Sequence, residues 1–435
     1  MKRPLQPLKV SDNHRFLVLA DGTPFFWLGD TVWELFHKLT REEAETYLKI
    51  RAGQGFNVIQ AVALSEFDGL KVSNAYDRSP LLMNEEGLFD PDLPDVAGPY
   101  SYWDHVDAII DLAAEHGIYC ALLPTWGDKY NMSTWGKGPE IFTPENAFRY
   151  GRWIADRYRD RSNIIWVLGG DRPLETHRHF GVISEMARGV RAGDGGAHLI
   201  TFHPTGNRSS SYHNHDEAWL DFNMIQSGHG ALNAKNYEFV ENDYARLPVK
   251  PTLDGEPRYE DHPINFNPDN GYYDDFDVRQ AAYWAVFAGA FGHTYGHHSV
   301  WSMCTEPAAY IIMKWQTALV RPGATHMQHL RRLIESKPFL ERIPDQSLVA
   351  VQYGGANHLQ ATRGENYAMI YSPCGLLVQV AMGRIAGRQV QASWFDPRTG
   401  VKTAIGEFDN TGVASFMPPG SGRNNDWVLL LETVN

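Results

Sequence analysis

The sequence predicts an α/β fold, namely a (β/α)8 TIM barrel followed by a small C-terminal antiparallel β-sandwich. Two observations predict it. Strand-like and helix-like segments alternate about eight times over residues 25–337. Beyond residues 343–344 the pattern changes to short alternating apolar runs separated by turn signals. An open doubly wound sheet is the alternative for the first part. However, no Gly-x-Gly-x-x-Gly follows the first strand, which removes the usual ligand of that fold.

The length of 435 residues suits a barrel with an accessory domain. We therefore divide the chain into residues 1–340, a barrel that an N-terminal β-hairpin precedes, and residues 341–435, the β-sandwich. Hydrophobic residues make up 43% of the chain, which is enough for a sizeable core. No low-complexity linker separates the two parts, so we expect them to pack closely.

Charge and cysteine usage exclude several classes of partner. The formal net charge of -13 argues against nucleic acid and anionic membranes, and no apolar run is long enough to span a bilayer. The three cysteines lie far apart and lack metal-ligand spacing, so we expect buried thiols, no metal and no other cofactor. The N-terminus shows no apolar signal region. We expect a cytoplasmic protein, or a secreted or periplasmic one if a signal was removed.

Turn and capping signals place the elements of the first half of the barrel. Residues 8–19 alternate as a hairpin. Thr40 and Glu43 form a capping box that begins a helix, and Gly55 follows the helix as its stop signal. Residues 65–101 are a long loop rich in Asp, Pro and Gly, typical of a lid or a binding wall. The predicted strands here are residues 25–29, 56–64, 118–124 and 164–168, and the predicted helices are residues 40–52, 102–116 and 143–159.

The same alternation continues to the end of the barrel. An Ala-rich segment with three aromatic residues, 278–290, predicts a buried helix. The predicted strands of this half are residues 198–203, 222–227, 249–254 and 292–296, and the other predicted helices are residues 171–191, 233–246 and 325–335. In the second domain we predict strands at residues 348–353, 367–372, 378–382, 390–395 and 428–431.

Two carboxylates follow the predicted fourth and seventh strands. Gly169 and Gly170 let the backbone leave the sheet before Asp171, and Glu256 comes just after the seventh strand. Because the carboxyl ends of barrel strands form the active-site face, we expect Asp171 and Glu256 to face each other across the mouth. Glycoside hydrolysis requires such a pair, one to protonate the leaving oxygen and one to stabilise or attack the anomeric carbon. Asp171 could instead cap a helix. Asp254 and Glu260 are nearby alternatives to Glu256 as the second carboxylate.

Five motifs add a more specific indication. They are Phe-Trp-Leu-Gly-Asp at 26–30 with Trp33, Gly-Phe-Asn-Val-Ile-Gln at 55–60, Ile-Trp-Val-Leu-Gly-Gly-Asp at 165–171, Asp-Gly-Glu at 254–256 and Trp-Phe-Asp-Pro-Arg-Thr-Gly at 394–400. With them, nearly the whole chain resembles the apiosidase-like glycoside hydrolases, family 140, of the large retaining barrel clan. Gly170–Asp171 stands where much of that clan has Asn-Glu, which favours the narrower family.

The resemblance implies a bacterial-type retaining exo-hydrolase, with Asp171 as acid/base and Glu256 as nucleophile. It also implies a carbohydrate substrate, since the activity of the family is release of apiose from plant pectic side chains. We therefore expect a plant cell-wall glycoside, an apioside or a related pentoside, to be cleaved by double displacement. If the enzyme retains, its carboxyl groups should lie about 5–5.5 Å apart, against roughly 6.5–9.5 Å for inversion.

Eight further residues are predicted to contact the substrate, and several have a structural alternative. Trp126, in a loop with glycine at a strand end, is the stronger stacking candidate, whereas Trp33 could belong to the core. Gln60 lies near the middle of its strand and could serve structural hydrogen bonding. Asp30 could cap a helix. The other four are His203, His229, His293 and Tyr295, in the predicted strand-end region, where histidines bind hydroxyls or tune a carboxylate.

Two other classes of function stay open from the sequence. A metal-dependent amidohydrolase barrel needs His-x-His after the first strand, where this chain has Gly-Asp-Thr-Val-Trp. The pair His297–His298 also lacks partners at ligand spacing. A non-catalytic carbohydrate-binding protein is the third reading, although both expected carboxylates are present. Metal analysis of the purified protein would identify an amidohydrolase, and carbohydrate binding without turnover would identify a non-catalytic binding protein.

Overall fold

The computed structural model describes residues 5–434. In its first part the strands are β1 (Leu8–Val10), β2 (Leu17–Leu19), β3 (Pro24–Phe25), β4 (Trp27–Thr31), β5 (Val58–Val62), β6 (Leu81–Met83), β7 (Phe89–Pro94), β8 (Tyr119–Leu123), β9 (Ile164–Gly169), β10 (Ile200–His203), β11 (Arg208–Ser209), β12 (Asn223–Gln226), β13 (Thr252–Asp254) and β14 (Gly292–Tyr295). The helices are α1 (Leu35–Lys38), α2 (Arg41–Gly53), α3 (Tyr102–Glu115), α4 (Pro144–Tyr158), α5 (His177–Asp194), α6 (Ser211–Asn214), α7 (Asn236–Tyr244), α8 (Asp275–Phe287), α9 (His298–Trp301), α10 (Trp315–Ala318) and α11 (Pro322–Glu335).

A nearly closed parallel barrel forms the centre of this part, which confirms the predicted fold class. Neighbouring strands follow the order β10-β9-β8-β5-β4-β14-β13-β12, and the short β11 pairs antiparallel with β12. The seam between β10 and β12 is bridged by the N–H of Asp221, which donates to the carbonyl of Ile200 at 2.9 Å. All eight parallel strands therefore point their carboxyl ends at one mouth.

Local signals explain most of the element boundaries. Thr40 and Glu43 form the predicted capping box at the start of α2, and Ser101 begins α3 in the same way. β1 and β2 pair antiparallel, as the hairpin prediction required. The first barrel strand is shifted, because Phe25 belongs to β3 and the barrel strand begins at Trp27. The predicted long loop, residues 65–101, contains the hairpin β6–β7, which the sequence reading missed.

The second domain is built from β15 (Ile343–Pro344), β16 (Gln360–Arg363), β17 (Tyr367–Ser372), β18 (Val378–Ala381), β19 (Gln389–Phe395), β20 (Lys402–Asp409), β21 (Val413–Phe416) and β22 (Trp427–Thr433). Six of them form an antiparallel sheet in the order β15-β16-β17-β22-β19-β20, and β18 pairs with β21. The predicted strand at 348–353 is wrong. Gln346–Leu348 is a 3-10 turn, and only Val349 makes an isolated bridge, to Val380.

The two domains share a continuous core. Arg279 of α8 forms a fully buried ion pair with Asp426, with Nη2 2.7 Å from Oδ1. The ring of Tyr283 stacks on Tyr371 at 4.9 Å between centroids, and the indole of Trp284 donates to the carbonyl of His358 at 3.0 Å. The predicted close packing of the two domains is confirmed. Within residues 5–434, no helix is long and apolar enough to cross a membrane.

Candidate active site

The turn after β9 positions Asp171 by an unusual backbone path. Gly169, Gly170 and Asp171 all have positive φ, at 93°, 108° and 54°. A Cβ on Gly169 would lie 2.4 Å from the carbonyl oxygen of His203, and one on Gly170 would lie 2.8 Å from the nitrogen of Gly127. Only glycine fits these two positions, which explains the glycine pair. Asp171 itself is held in a left-handed conformation, a strain of the kind concentrated at functional sites.

The Asp171 carboxyl lies in a largely dry environment. Its side chain is 18% exposed, and Nη1 of Arg172 lies 3.5 Å from Oδ2. The amide of Gln226, at the end of β12, also hydrogen-bonds this carboxyl. Burial, together with the negative charge of Glu256, raises the pKa of Asp171 to about 7, against the opposing effects of His203 and Arg172. Asp171 therefore holds a proton near neutral pH, as a general acid must.

Glu256 follows β13 and is held by two histidines. Its side chain is only 7% exposed, with Oε2 2.8 Å from Nε2 of His203 and Oε1 3.2 Å from Nε2 of His229. Burial alone would raise the pKa of Glu256, but its contacts and electrostatic interactions with His203 and His229 lower it to about 2. Glu256 is thus ionised throughout the physiological range, as a nucleophile must be.

His203 links the two carboxylate residues. The backbone N–H of Asp171 donates to its Nδ1 at 3.3 Å, so in the neutral ring the proton is on Nε2, which faces Glu256. The contact of Nε2 with Oε2 is short but poorly aligned for a hydrogen bond. That oxygen therefore keeps a lone pair for chemistry.

Two predicted tryptophans and one glutamine support this arrangement. Trp33 packs on Trp126 with ring centroids 5.1 Å apart, and both rings lie against the imidazole of His203. The amide of Gln60 donates to the carbonyl of Gly255 at 2.9 Å, next to Glu256 in sequence. Trp33, Trp126, Gln60, His203 and His229 are thus all brought to the site, and their contact with substrate stays a prediction.

The prediction that Asp30, His293 and Tyr295 contact substrate is wrong. Side chains alternate along a strand, and Gly29 and Thr294 face the barrel interior beside the indole of Trp27. Their neighbours in β4 and β14 therefore face the surrounding helices.

The outward-facing side chains make structural contacts instead. Oδ2 of Asp30 is fully buried against Nε of Arg51 at 2.5 Å and accepts the hydroxyl of Tyr47 at 2.6 Å. The hydroxyl of Tyr295 donates to Glu260 at 2.6 Å. His293 is fully buried, and burial followed by the charge of Arg258 lowers its pKa to about 3.

Three residues around the two carboxylates carry a buried polar atom without a partner. Among residues 5–434, Nε1 of Trp126, Oε1 of Gln226 and Nδ1 of His229 are buried and form no hydrogen bond. A buried polar group left unpaired costs about 1–3 kcal/mol, so native proteins keep few of them. Unpaired polar atoms of this kind are typical of a site that a hydroxyl-rich ligand completes.

Sequence reasoning missed some residues of the site. Gln226 ends a predicted strand, so the strand-end rule would have found it. Arg172 and Tyr259 carry no such signal, because their contacts depend on long-range packing. Tyr259 lies beside Glu256 and 4.4 Å from the ring of His229, and burial raises its pKa well above the ordinary value. Within the described residues, no group of three His, Cys, Asp or Glu side chains is arranged to hold a metal ion.

Comparisons with known proteins agree with this geometry. A family model described as "Apiosidase-like, catalytic domain" matches residues 11–341, and one described as "Putative collagen-binding domain of a collagenase" matches residues 343–432. A solved structure titled "Glycoside hydrolase" is 37% identical, with a TM-score of 0.89, over 98% of this chain and 97% of that chain. A glycoside hydrolase family 5 structure from Bacteroides vulgatus is 34% identical, with a TM-score of 0.90, over 98% of this chain and 94% of that one.

A third solved structure shows the fold alone. It is a putative glycoside hydrolase from Bacteroides vulgatus, 18% identical with a TM-score of 0.71, and the match covers 100% of this chain and 83% of that one. Among curated proteins we found no match. The protein is a glycoside hydrolase. Within that class it belongs to the apiosidase-like family, as its motifs indicated, and the label of family 140 is consistent with this assignment.

Proposed function

We propose that this glycoside hydrolase is a retaining, exo-acting enzyme that releases apiose or a related pentose from a plant cell-wall glycoside. One observation carries the proposal. Asp171 and Glu256 both contact His203, and their pKa values are shifted in opposite directions, that of Asp171 being raised to about 7 and that of Glu256 lowered to about 2. Pairs of carboxyl groups whose environments separate their pKa values in this way divide the roles of acid and nucleophile.

The first step forms a glycosyl-enzyme. Glu256 attacks the anomeric carbon with its carboxylate while the bond from that carbon to the leaving oxygen breaks. Asp171 gives its proton to the leaving oxygen, so the leaving group departs as a neutral alcohol. Loss of the negative charge of Glu256 on ester formation removes the repulsion that raised the pKa of Asp171.

The second step releases the sugar. Asp171, now a carboxylate of lower pKa, takes a proton from water as the water oxygen attacks the anomeric carbon. The ester bond breaks and Glu256 leaves as a carboxylate. His203 and His229 stabilise that returning charge, which supports the assignment of Glu256 as the leaving carboxylate.

The surroundings of the pair support exo action on a small terminal sugar. Glu256 and His203 are almost fully buried, and Trp33 and Trp126 pack around His203. A carboxylate as enclosed as Glu256 is reached more readily by a chain end than by the middle of a polymer. The apiosidase-like family assignment supports apiose as the first sugar to test.

The test compares the wild-type enzyme with Asp171→Ala and Glu256→Gln on aryl apiosides and aryl arabinosides. Glu256→Gln should lose at least about 10³-fold in kcat. Asp171→Ala should keep cleaving substrates with good leaving groups, and azide should accelerate it, because such groups need no acid. Equal activity of all three proteins would place the site elsewhere. Proton NMR of the first product should show the anomer of the substrate, and the opposite anomer would overturn retention.

A further inference from the structure

An exposed tryptophan lies close to the proposed acid. Trp135 is 46% exposed, in the loop of residues 132–140 that follows β8. The guanidinium of Arg172 lies over the indole ring, with Cζ 4.4 Å from the centroid, while the Arg172 side chain is fully buried. The guanidinium of Arg172 therefore covers part of the Trp135 ring system, while nearly half of the residue faces solvent.

Arg172 connects this ring to Asp171. Its Nε donates to the carbonyl of Trp135 at 2.9 Å, and its Nη1 donates to the carbonyl of Asp171 at 2.8 Å. The same Nη1 lies 3.5 Å from Oδ2 of Asp171. A single buried side chain thus fixes the tryptophan relative to the carboxyl group that protonates the leaving oxygen.

The rest of the loop is anchored as well. Oδ2 of the buried Asp128 accepts the backbone N–H groups of Lys137 and Gly138 at 3.1 and 3.0 Å. Gly136 has a φ of 121°, and a Cβ there would lie 2.5 Å from Cβ of Asp128, so only glycine allows this close approach. Because Arg172 holds the loop at Trp135 and Asp128 holds it just after Trp135, the exposed ring is presented in one position. Such preorganisation reduces the entropy cost of binding.

The role of Asp171 in the proposed reaction indicates which part of the substrate the Trp135 ring can contact. Asp171 protonates the leaving oxygen, so it stands on the leaving-group side of the scissile bond, whereas Glu256 attacks the opposite face of the released sugar. The Trp135 ring, which Arg172 holds next to Asp171, therefore lies on the leaving-group side of the scissile bond. A pyranose presents an apolar face of C–H groups, which can bury against an aromatic surface.

We infer that Trp135 is the stacking surface of the leaving-group subsite and selects substrates whose leaving group is a pyranose ring. The inference rests on the proposed function, because it needs Asp171 to be the acid. It adds a specificity-determining residue on the opposite side of the scissile bond from the released pentose.

The test is a ratio of kcat/KM values for two substrates whose leaving groups are aliphatic alcohols, which need protonation by Asp171. One is a disaccharide of apiose linked to a pyranose, and the other is methyl apioside, which has no ring to stack. Trp135→Ala should lower the ratio of the first to the second about tenfold, equivalent to about 1.4 kcal/mol. Trp135→Phe should recover part of the loss. Tyr212→Ala is the matched control, since Tyr212 is 63% exposed and also lies against an arginine, Arg208, 5.2 Å from its ring centroid.

Each outcome has a distinct meaning. A lower ratio in Trp135→Ala, with Tyr212→Ala unchanged and equal melting temperatures, supports the subsite. An unchanged ratio, or an equal loss on both substrates, overturns it and leaves the proposed function intact. If the wild-type enzyme cleaves neither substrate, the proposed apioside hydrolysis fails and the subsite fails with it.

Discussion

Nε2 of His203 lies 2.8 Å from Oε2 of Glu256, and this contact makes the charge of the carboxylate after β13 depend on a residue of β10. The same imidazole accepts the backbone N–H of Asp171. One ring therefore contacts the backbone of Asp171 and the carboxylate of Glu256.

The pH dependence of kcat/KM should show a basic limb near pH 7. Asp171 must be protonated to act, and since its pKa is raised to about 7, activity falls as the pH rises through that value. Glu256, with a pKa lowered to about 2, stays ionised down to strongly acidic pH. The measurement is a pH–rate profile on an aryl glycoside with a poor leaving group. In Asp171→Ala on an activated substrate the basic limb should vanish, and its persistence would contradict the assignment.

Replacing His203 by alanine should make the loss of kcat/KM at acidic pH measurable. Without this imidazole the pKa of Glu256 rises towards its ordinary value, so activity is lost at a higher pH on the acid side. We expect kcat/KM to fall by about 10- to 100-fold, equivalent to about 1.4–2.7 kcal/mol, because the close contact that stabilises the ionised carboxylate is lost. His293→Gln is the control, because His293 is equally buried and faces away from the barrel interior. An equal loss in both variants would show a general effect of removing buried histidines.

Gly170→Ala should damage both stability and activity. Its φ of 108° and the 2.8 Å approach of a Cβ to the nitrogen of Gly127 force the turn to move, at a cost of about 1–3 kcal/mol. Gly195→Ala is the control. This residue ends α5 with a φ of 66° and has open space around it, so about 1 kcal/mol is expected, without loss of kcat. Chemical denaturation and kinetics measure both effects, and normal activity in Gly170→Ala would show that the turn tolerates a Cβ.

Asp30→Asn should lower stability without changing substrate binding. Arg51 would remain buried without its carboxylate, and breaking such a pair costs about 3–5 kcal/mol. Asp156→Asn, which removes an exposed pair with Arg159, should change the free energy of unfolding by less than about 1 kcal/mol. KM of the folded Asp30→Asn enzyme should match the wild type. A large rise in KM with unchanged stability would restore the original prediction of a sugar contact.

Position along the chain was enough to predict that Asp171 and Glu256 follow β9 and β13, because a glycine pair and a strand end constrain the backbone locally. The orientation of Asp30 was not, since β4 runs on to Thr31 and Asp30 lies inside the strand instead of beyond it. A shift of a single residue reverses the face on which a side chain is placed. Trp135 and Arg172 were missed for another reason. Their positions depend on contacts between the loops after β8 and β9, which no local pattern records.

The shared core of the two domains limits how this enzyme can be redesigned. A chain cut after the barrel would remove Asp426 from Arg279 and expose the aromatic surface of Tyr283 and Trp284. The second domain therefore cannot be treated as a detachable module. Shortened or chimeric versions need a redesigned surface where the barrel meets the second domain. A barrel expressed without that redesign is expected to aggregate.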